Sequence, residues 1–317
     1  MPARLLVKDP TGTTEHQPEE LSELRDRPCW LDISDPKSAD LELAAQELGL
    51  HPLALEDAQQ RHERPKIDQY DDHYFIVFYA LEEPSPHVVR EIEISIFMKQ
   101  NAIVTVHEGD FAARATVERR FREGKLHTTG LLLHALLDTL VDQYFAVVDS
   151  LGERVELLEQ MVVGGDTQDY DTSIRELFEL KRDLLRVRHR VAPEREVLAA
   201  LVRGDINELR ETGRRAYFQD VYDHINRVTD EIDTFRELTS NVIDAHLASV
   251  NNRLNEVVKV LTSIATVLLV LTLVTGFFGQ NWEAIPYDSA ELFWTSVAAM
   301  VLLGVGTFIY FRRKGWL

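Results

Sequence analysis

At 317 residues, 45% hydrophobic and 27% charged, the chain is too apolar for a disordered polypeptide and long enough for about two soluble units beside any membrane segment. Its net charge of −19 argues against a nucleic-acid partner, whose phosphates call for basic surface, and suits divalent cations better. The single cysteine, Cys29, excludes a disulfide framework and fits a reducing cytosol.

The opening MPARLLVKDPTGT has no apolar signal core, so the first membrane signal is expected far downstream. Residues 1–125 read as an α/β domain. Runs at 29–33, 74–81, 92–98 and 102–106 are rich in β-branched and aromatic residues, which favours strands, and Lys99, Gln100 and Asn101 form a tight polar turn between the last two. Positions 38–49 and 52–60 read as helices, the first with a serine N-cap and a glycine stop.

From Lys125 onward the apolar period changes to 3.6. Residues 129–163 carry Leu132, Leu136, Leu140, Tyr144, Val147 and Leu151 at three-four spacing, and 170–191 repeat the pattern through Ile174, Leu177, Leu180 and Leu184. The short link at Gly164, Gly165 and Asp166 predicts an antiparallel pair, with Pro193 opening a separate helical segment that ends near Arg203, Gly204 and Asp205. Next comes a proline-free helix over 207–278, roughly 72 positions or about 108 Å of rod. Its last part, VLTSIATVLLVLTLVTGFF, has no charge and is long enough to span a bilayer.

A second uncharged run, LFWTSVAAMVLLGVGTFIYF, completes a transmembrane hairpin. The chain closes on Arg312, Arg313, Lys314, Gly315, Trp316 and Leu317, which the positive-inside rule places in the cytoplasm. The connection 279–291 carries Glu283, Asp288 and Glu291 without lysine or arginine and belongs outside. Both termini are then cytoplasmic. The expected division is 1–125 (α/β), 126–256 (helical region and stalk) and 257–317 (membrane hairpin).

No phosphate-binding glycine loop, zinc-protease motif, paired-cysteine motif or nucleophile elbow occurs, and nothing supports an enzyme. His62, His73, His87 and His107 are scattered and read as ordinary surface or structural histidines. On an ideal helix, Asn255, Val258, Ala265, Leu269, Thr272 and Gly276 fall within an arc of about 100°, the least lipid-like face of the first span. Such a face lines a pore if several copies surround an axis, and equally serves close helix packing in lipid.

The run NEVVKVLTSIATVLLVLTLVTGFFGQNW resembles the first transmembrane helix of the CorA metal ion transporters, with Gly279, Gln280 and Asn281 where that family has Gly-Met-Asn. The stretch YFQDVYDHINRVTDEIDTF resembles the family's stalk helix, RRKGWL its basic ending, and ERPKIDQYDDHYFIVFYAL its amino-terminal domain. The resemblance implies an α+β membrane protein assembled as a funnel-shaped homopentamer in the cell membrane, with a cytoplasmic α/β domain, a long stalk and two carboxy-terminal spans. It implies transport of Mg2+, with Co2+, Ni2+ or Zn2+ as further cargo, gated by cytoplasmic divalent ions. Gly279, Gln280 and Asn281 match its outer filter, and Asn255, Val258, Leu261, Leu269 and Thr272 its pore positions, with Thr262, Ala265 and Gly276 counted among the lining residues. Asp220 matches an acidic position of a regulatory metal site between subunits. Glu283, Asp288 and Glu291 would attract cations at the mouth. Gln280 departs from the family's methionine, which keeps the Zn2+-transporting ZntB branch open as an alternative. A non-conducting membrane-anchored metal sensor or scaffold is the reading from another class.

Overall fold

The structure is a computed structural model that describes residues 3–9, 12–24, 26–163, 170–203, 214–280, 286 and 288–317. By internal contact the chain divides into two compact units, Met1–Val242 and Ile243–Leu317.

The first unit is built on a seven-stranded sheet of β1 (Arg4–Asp9), β2 (Gly12–His16), β3 (Cys29–Ile33), β4 (Lys66–Gln69), β5 (Tyr74–Ser85), β6 (Val88–Met98) and β7 (Ala102–His107), in the order β2-β1-β3-β7-β6-β5-β4. The β3–β7 pair is parallel and the others antiparallel. All four expected strands are present. The polar turn at Lys99 closes the β6–β7 hairpin, with Met98 paired to Ile103. Strands β3 and β7 are buried throughout and β5 and β6 over most of their length, hence the near-continuous apolar runs. The two edge strands, GTTEH and KIDQ, were not anticipated, nor was RLLVKD. Edge strands with one wet face carry little apolar signal.

Three short helices cover one face: α1 (Leu21–Leu24), α2 (Ala39–Leu48) and α3 (Pro52–Gln60). Leu41, Ala44, Leu48, Ala54 and Ala58 pack there with Leu5, Leu31, Phe75, Val77, Phe97 and Val104. Gly49 ends α2 in the left-handed region at φ 64°, as expected of a glycine stop. Ser38 holds the N-cap position with extended backbone, but its side chain makes no capping bond. On the opposite face lie α4 (Ala112–Arg122), α5 (Thr129–Val163) and α6 (Tyr170–Arg203). Phe121 of α4 meets the edge of Trp30, whose side chain points away from Leu31 by strand alternation.

Helix α5 has the expected bounds. Helix α6 corrects the expectation of a break at Pro193, which sits inside one continuous helix. Proline forfeits one backbone hydrogen bond, but the turns on either side are held by buried Val187, Val191, Val197, Leu198 and Leu201. Arg154 bonds Asp183 and Tyr144 bonds Glu194, two pairs whose positions run in opposite senses, so α5 and α6 are antiparallel. Their link at Gly164–Asp166 lies outside the described residues.

Helix α7 (Arg214–Phe278) is one 65-residue element; positions 207–213 of the expected rod lie outside the described residues. Within the first unit it buries Phe218, Val221, Ile225, Val228 and Ile232, a three-four repeat that keeps one seam facing its neighbours. Gly152 of α5 marks a close approach to α7, since a Cβ there would lie 2.5 Å from the Phe235 ring. Gly152→Ala is therefore expected to destabilise the protein by about 1–3 kcal/mol, read as a lowered denaturation midpoint.

The second unit holds the rest of α7 and α8 (Ala290–Arg313), whose Ser289 N-cap accepts the Leu292 N–H at 3.4 Å. Three described helices are long and apolar enough to cross a membrane. Of the apolar window in α5, 56% is buried inside the protein, against 6% in α7 and in α8. Burial thus accounts for the apolar character of α5, while Leu273 and Leu302, each 73% exposed, need another apolar medium. Leu271 and Gly304 mark a close approach of the two helices; a Cβ on Gly304 would lie 3.1 Å from Leu271 Cδ2.

Candidate functional site

Two sets of residues outside the cores have the chemistry to handle cations. The first is in the soluble unit. Asp138 and Asp142 lie one turn apart on α5, and the seam that packs α7 brings His224 against them. Their ligand atoms all lie within 4.8 Å of one another, and among the described residues no other group of three such side chains converges in this way. His224 Nδ1 stands 3.5 Å from Asp142 Oδ1, and this buried nitrogen has no hydrogen-bond partner. Partial burial and then the neighbouring charge of Asp138 push the Asp142 carboxyl above its ordinary value, with Asp220 adding to the effect. Burial holds the nearby His134 imidazole below its usual value. Two crowded carboxylates beside an imidazole are a donor set whose chemistry suits a cation.

Asp220, the regulatory position expected from the sequence, is exposed and sits one helical turn before His224 on α7. It contributes to the negative potential at this cluster but is not among the three converging ligands. Asp138, Asp142 and His224 were not anticipated. The only local trace is the four-residue spacing of the two aspartates, and no local pattern connects them to a histidine some eighty positions away.

The second set is in the membrane-type unit. Asn255, Val258, Leu261, Thr262, Ala265, Leu269, Thr272 and Gly276 are all exposed on α7. Ser263, fully buried, and Leu271, against Gly304, lie on the other flank. The flank expected to line a pore therefore falls within the broad face of α7 that α8 leaves free. The Thr272 hydroxyl donates to the Leu268 carbonyl at 2.8 Å, which turns its lone pairs outward as acceptors. At the end of α7, Gly279 and Gln280 are exposed; the Gly279 N–H bonds the Thr275 carbonyl, and a Cβ on Gly279 would crowd that oxygen at 3.2 Å. Asn281 and Glu283 lie outside the described residues. Asp288 and Glu291 are exposed.

The other conspicuous polar groups hold the fold together. Asp32 accepts from Thr105 at 2.6 Å and His107 at 3.1 Å and pairs with Arg114 at 3.3 Å, which keeps its carboxyl below the ordinary value despite burial. The other ring nitrogen of His107 meets the Gly109 carbonyl, so both nitrogens face oxygens. His73 bridges the His51 N–H and Asp72. Burial pushes the Cys29 thiol up to about 12, so it is an inert core residue.

Comparison with known proteins places these features in one family. Residues 25–313 match the family model described as CorA-like Mg2+ transporter protein. The cobalt/magnesium transport protein CorA of Thermotoga maritima is 33% identical over 301 residues, 92% of this chain and 84% of that protein. In fold, the chain matches the complete structure of the CorA magnesium transporter from Methanocaldococcus jannaschii with a TM-score of 0.84, at 22% identity, covering 100% of this chain and 99% of that one. The ZntB cytoplasmic domain from Vibrio parahaemolyticus matches with a TM-score of 0.61 at 14% identity, over 78% of this chain and 98% of its own. A family match over nearly the whole length, joined to two exposed apolar helices and an acidic cluster, establishes that this chain belongs to the CorA-like Mg2+ transporter family.

Proposed function

We propose that the chain is one subunit of a homopentameric channel for a divalent cation, Mg2+ first and Co2+ second, in the cell membrane with both termini in the cytoplasm. The observation that carries this reading is the free flank of α7 from Asn255 to Gly276, charge-free over its membrane part and unpartnered within its own unit. Two helices enclose nothing, so this flank becomes a lining only when copies surround an axis. Residues 1–125, 126–256 and 257–317 then serve as sensor domain, stalk and pore.

Mg2+ keeps its first-shell water tightly, so the outer ring of Asn281 carbonyls binds the hydrated ion without stripping it. Asp288 and Glu291, with Glu283, raise the local cation concentration. The membrane potential supplies about 4.6 kcal/mol per 100 mV for a divalent ion, twice the single-charge value, and no nucleotide site is needed. Between Val258 and Leu269 the lining is largely apolar, and a narrowed apolar ring dewets and blocks ions.

Asp138, Asp142 and His224 are the residues that would hold a regulatory cation, with Asp220 directed to a neighbouring subunit. The orphaned His224 nitrogen and the crowded carboxylates fit such an ion, which would supply compensating positive charge. Without that charge the acidic side chains repel and loosen the packing of α7 on α5.

Metal flux into liposomes tests both parts. Wild type admits Mg2+ and closes as internal Mg2+ rises; the Asp138→Asn, Asp142→Asn double variant conducts but closes only at roughly tenfold higher internal Mg2+ or more, as expected for the loss of charge-assisted ligands. Closure at the wild-type concentration would show that this cluster is not the sensor. Gln280 in the filter favours a Zn2+ arm in the same assay: entry of Zn2+ but not Mg2+ supports the ZntB-type reading, and entry of neither supports a non-conducting sensor.

A further inference from the structure

We infer that the outer flank of the transmembrane hairpin is a binding site for one anionic phospholipid of the cytoplasmic leaflet, an inference that rests on the pore reading above. Val267 and Leu271 of α7 and Val297, Met300, Val301, Gly304, Val305 and Phe308 of α8 enclose an open groove of about 460 Å³, without a charged or hydrogen-bonding side chain. Gly304 makes the groove, since its missing side chain lets α8 close on Leu271 and leaves the flank beside that contact unfilled.

The direction of the groove follows from helix geometry. At 100° per residue, Val267 and Leu271 lie roughly 160° round α7 from Leu269, on the side opposite the lining residues. If α7 turns Leu269 and Thr272 to the pore, the groove faces away from the axis. Its length selects the occupant. Positions 297 to 308 of α8 cover about 16 Å, close to half of the hydrocarbon thickness of about 30 Å, which is the depth of a single leaflet.

A headgroup site stands at the correct end. Four residues beyond Phe308, α8 closes in a tight carboxy-terminal turn: Gly315 takes φ +70°, the Gly315 N–H bonds the Arg312 carbonyl at 3.2 Å and the Trp316 N–H bonds the Phe311 carbonyl at 3.0 Å. The turn lays Trp316 on Phe311, with ring centroids 5.5 Å apart, and leaves Arg312, Arg313 and Lys314 exposed. Among the described residues none of these three cations has a carboxylate partner. In a chain of net charge −19, a basic cluster on a fixed turn at the foot of an apolar groove complements an acyl chain with a negative headgroup. A zwitterionic lipid would fill the groove equally but leave the cations unmatched.

Native mass spectrometry of the detergent-purified full-length protein, incubated with equal amounts of phosphatidylglycerol and phosphatidylcholine of the same acyl composition, tests this. Wild type is expected to retain phosphatidylglycerol over phosphatidylcholine by about tenfold, as juxtamembrane basic residues favour anionic lipid. The triple variant Arg312→Gln, Arg313→Gln, Lys314→Gln is expected to retain both alike, and Val301→Phe, which fills the groove and keeps the basic end, to retain less of both with its oligomer intact. Equal retention of the two lipids by wild type overturns the proposal, as does unchanged retention by Val301→Phe. Disassembly of the Val301→Phe oligomer also overturns it, because the groove would then seat a neighbouring copy. Metal flux of wild type in the same lipids scores the pore reading separately, so absence of flux and absence of lipid preference are distinct failures.

Discussion

Replacing Asn281 by alanine is expected to reduce Mg2+ flux into liposomes by about tenfold or more while leaving the protein folded and oligomeric. A hydrogen bond between a neutral carbonyl and a charged, hydrated ion contributes about 1.5–3 kcal/mol, and the loss of one such contact already corresponds to about a tenfold change in occupancy. In the proposed ring of identical subunits the substitution removes every such carbonyl at once. No carboxylate lies in the spans to take over, since both apolar runs are free of charge. The measurement is ion entry under an imposed inside-negative potential, with Asn281→Ala beside wild type. Unchanged flux would remove the filter from this position and leave only the apolar segment below it to discriminate between ions. Gln280→Met in the same assay reports on ion choice; a rise in the Mg2+ to Zn2+ ratio is expected if the family's methionine supports Mg2+ selection.

The second large effect is on stability and its pH dependence. Glu194 is fully buried beside Pro193 on α6. One carboxyl oxygen accepts the Tyr79 N–H at 2.8 Å and the other lies 2.9 Å from the hydroxyl of Tyr144, itself fully buried. The Tyr144 hydroxyl has one proton, which goes to the Tyr79 carbonyl, because a carbonyl has none to give. The contact between Tyr144 and Glu194 therefore needs a proton from the glutamic acid. Burial raises the Glu194 carboxyl well above its ordinary value, in agreement with this count.

Glu194 and Tyr144 thereby satisfy β5 at Tyr79, past the last residue paired with β4. Glu194→Gln keeps every contact, its amide donating to Tyr144, whereas Glu194→Leu strands the Tyr79 N–H and is expected to cost about 1–3 kcal/mol. Below the unfolded value of 4.5 the acid is protonated in both states. Above it the unfolded chain releases a proton that the native chain retains, so wild-type stability falls as pH rises until native Glu194 itself ionises. Glu194→Gln removes that slope and is expected to gain on wild type by about 1.4 kcal/mol per pH unit through this window. Denaturation midpoints of the full-length protein in detergent from acid to mildly alkaline pH check this, and the infrared band of a protonated carboxyl should vanish in Glu194→Gln. Parallel curves for the two proteins would mean that Glu194 is ionised in the fold.

Several expectations depend on local regularities, and the structure meets them. Tyr74 to Leu81 is a strand because aromatic and β-branched residues fill both faces of an interior position. Thr129–Val163 is a helix because its apolar residues return every three or four places. The edge strands β2 and β4 escaped notice because half their surface is wet. Pro193 misled because its local cost is plain in the sequence, while the packing that offsets it comes from residues distant in the chain.

By itself the sequence determined that this chain enters a membrane, which runs are apolar and long enough to do so, and which flank of α7 carries the small and polar residues. Those facts follow from run length, charge and helical period, all of which act between near neighbours. Only the tertiary structure decided that the apolar α5 is a core helix, that Glu194 is a buried acid tied to β5, and that Asp138, Asp142 and His224 converge in one cluster. Each of these depends on side chains brought together from distant parts of the chain, and no local pattern in the sequence specifies such a meeting.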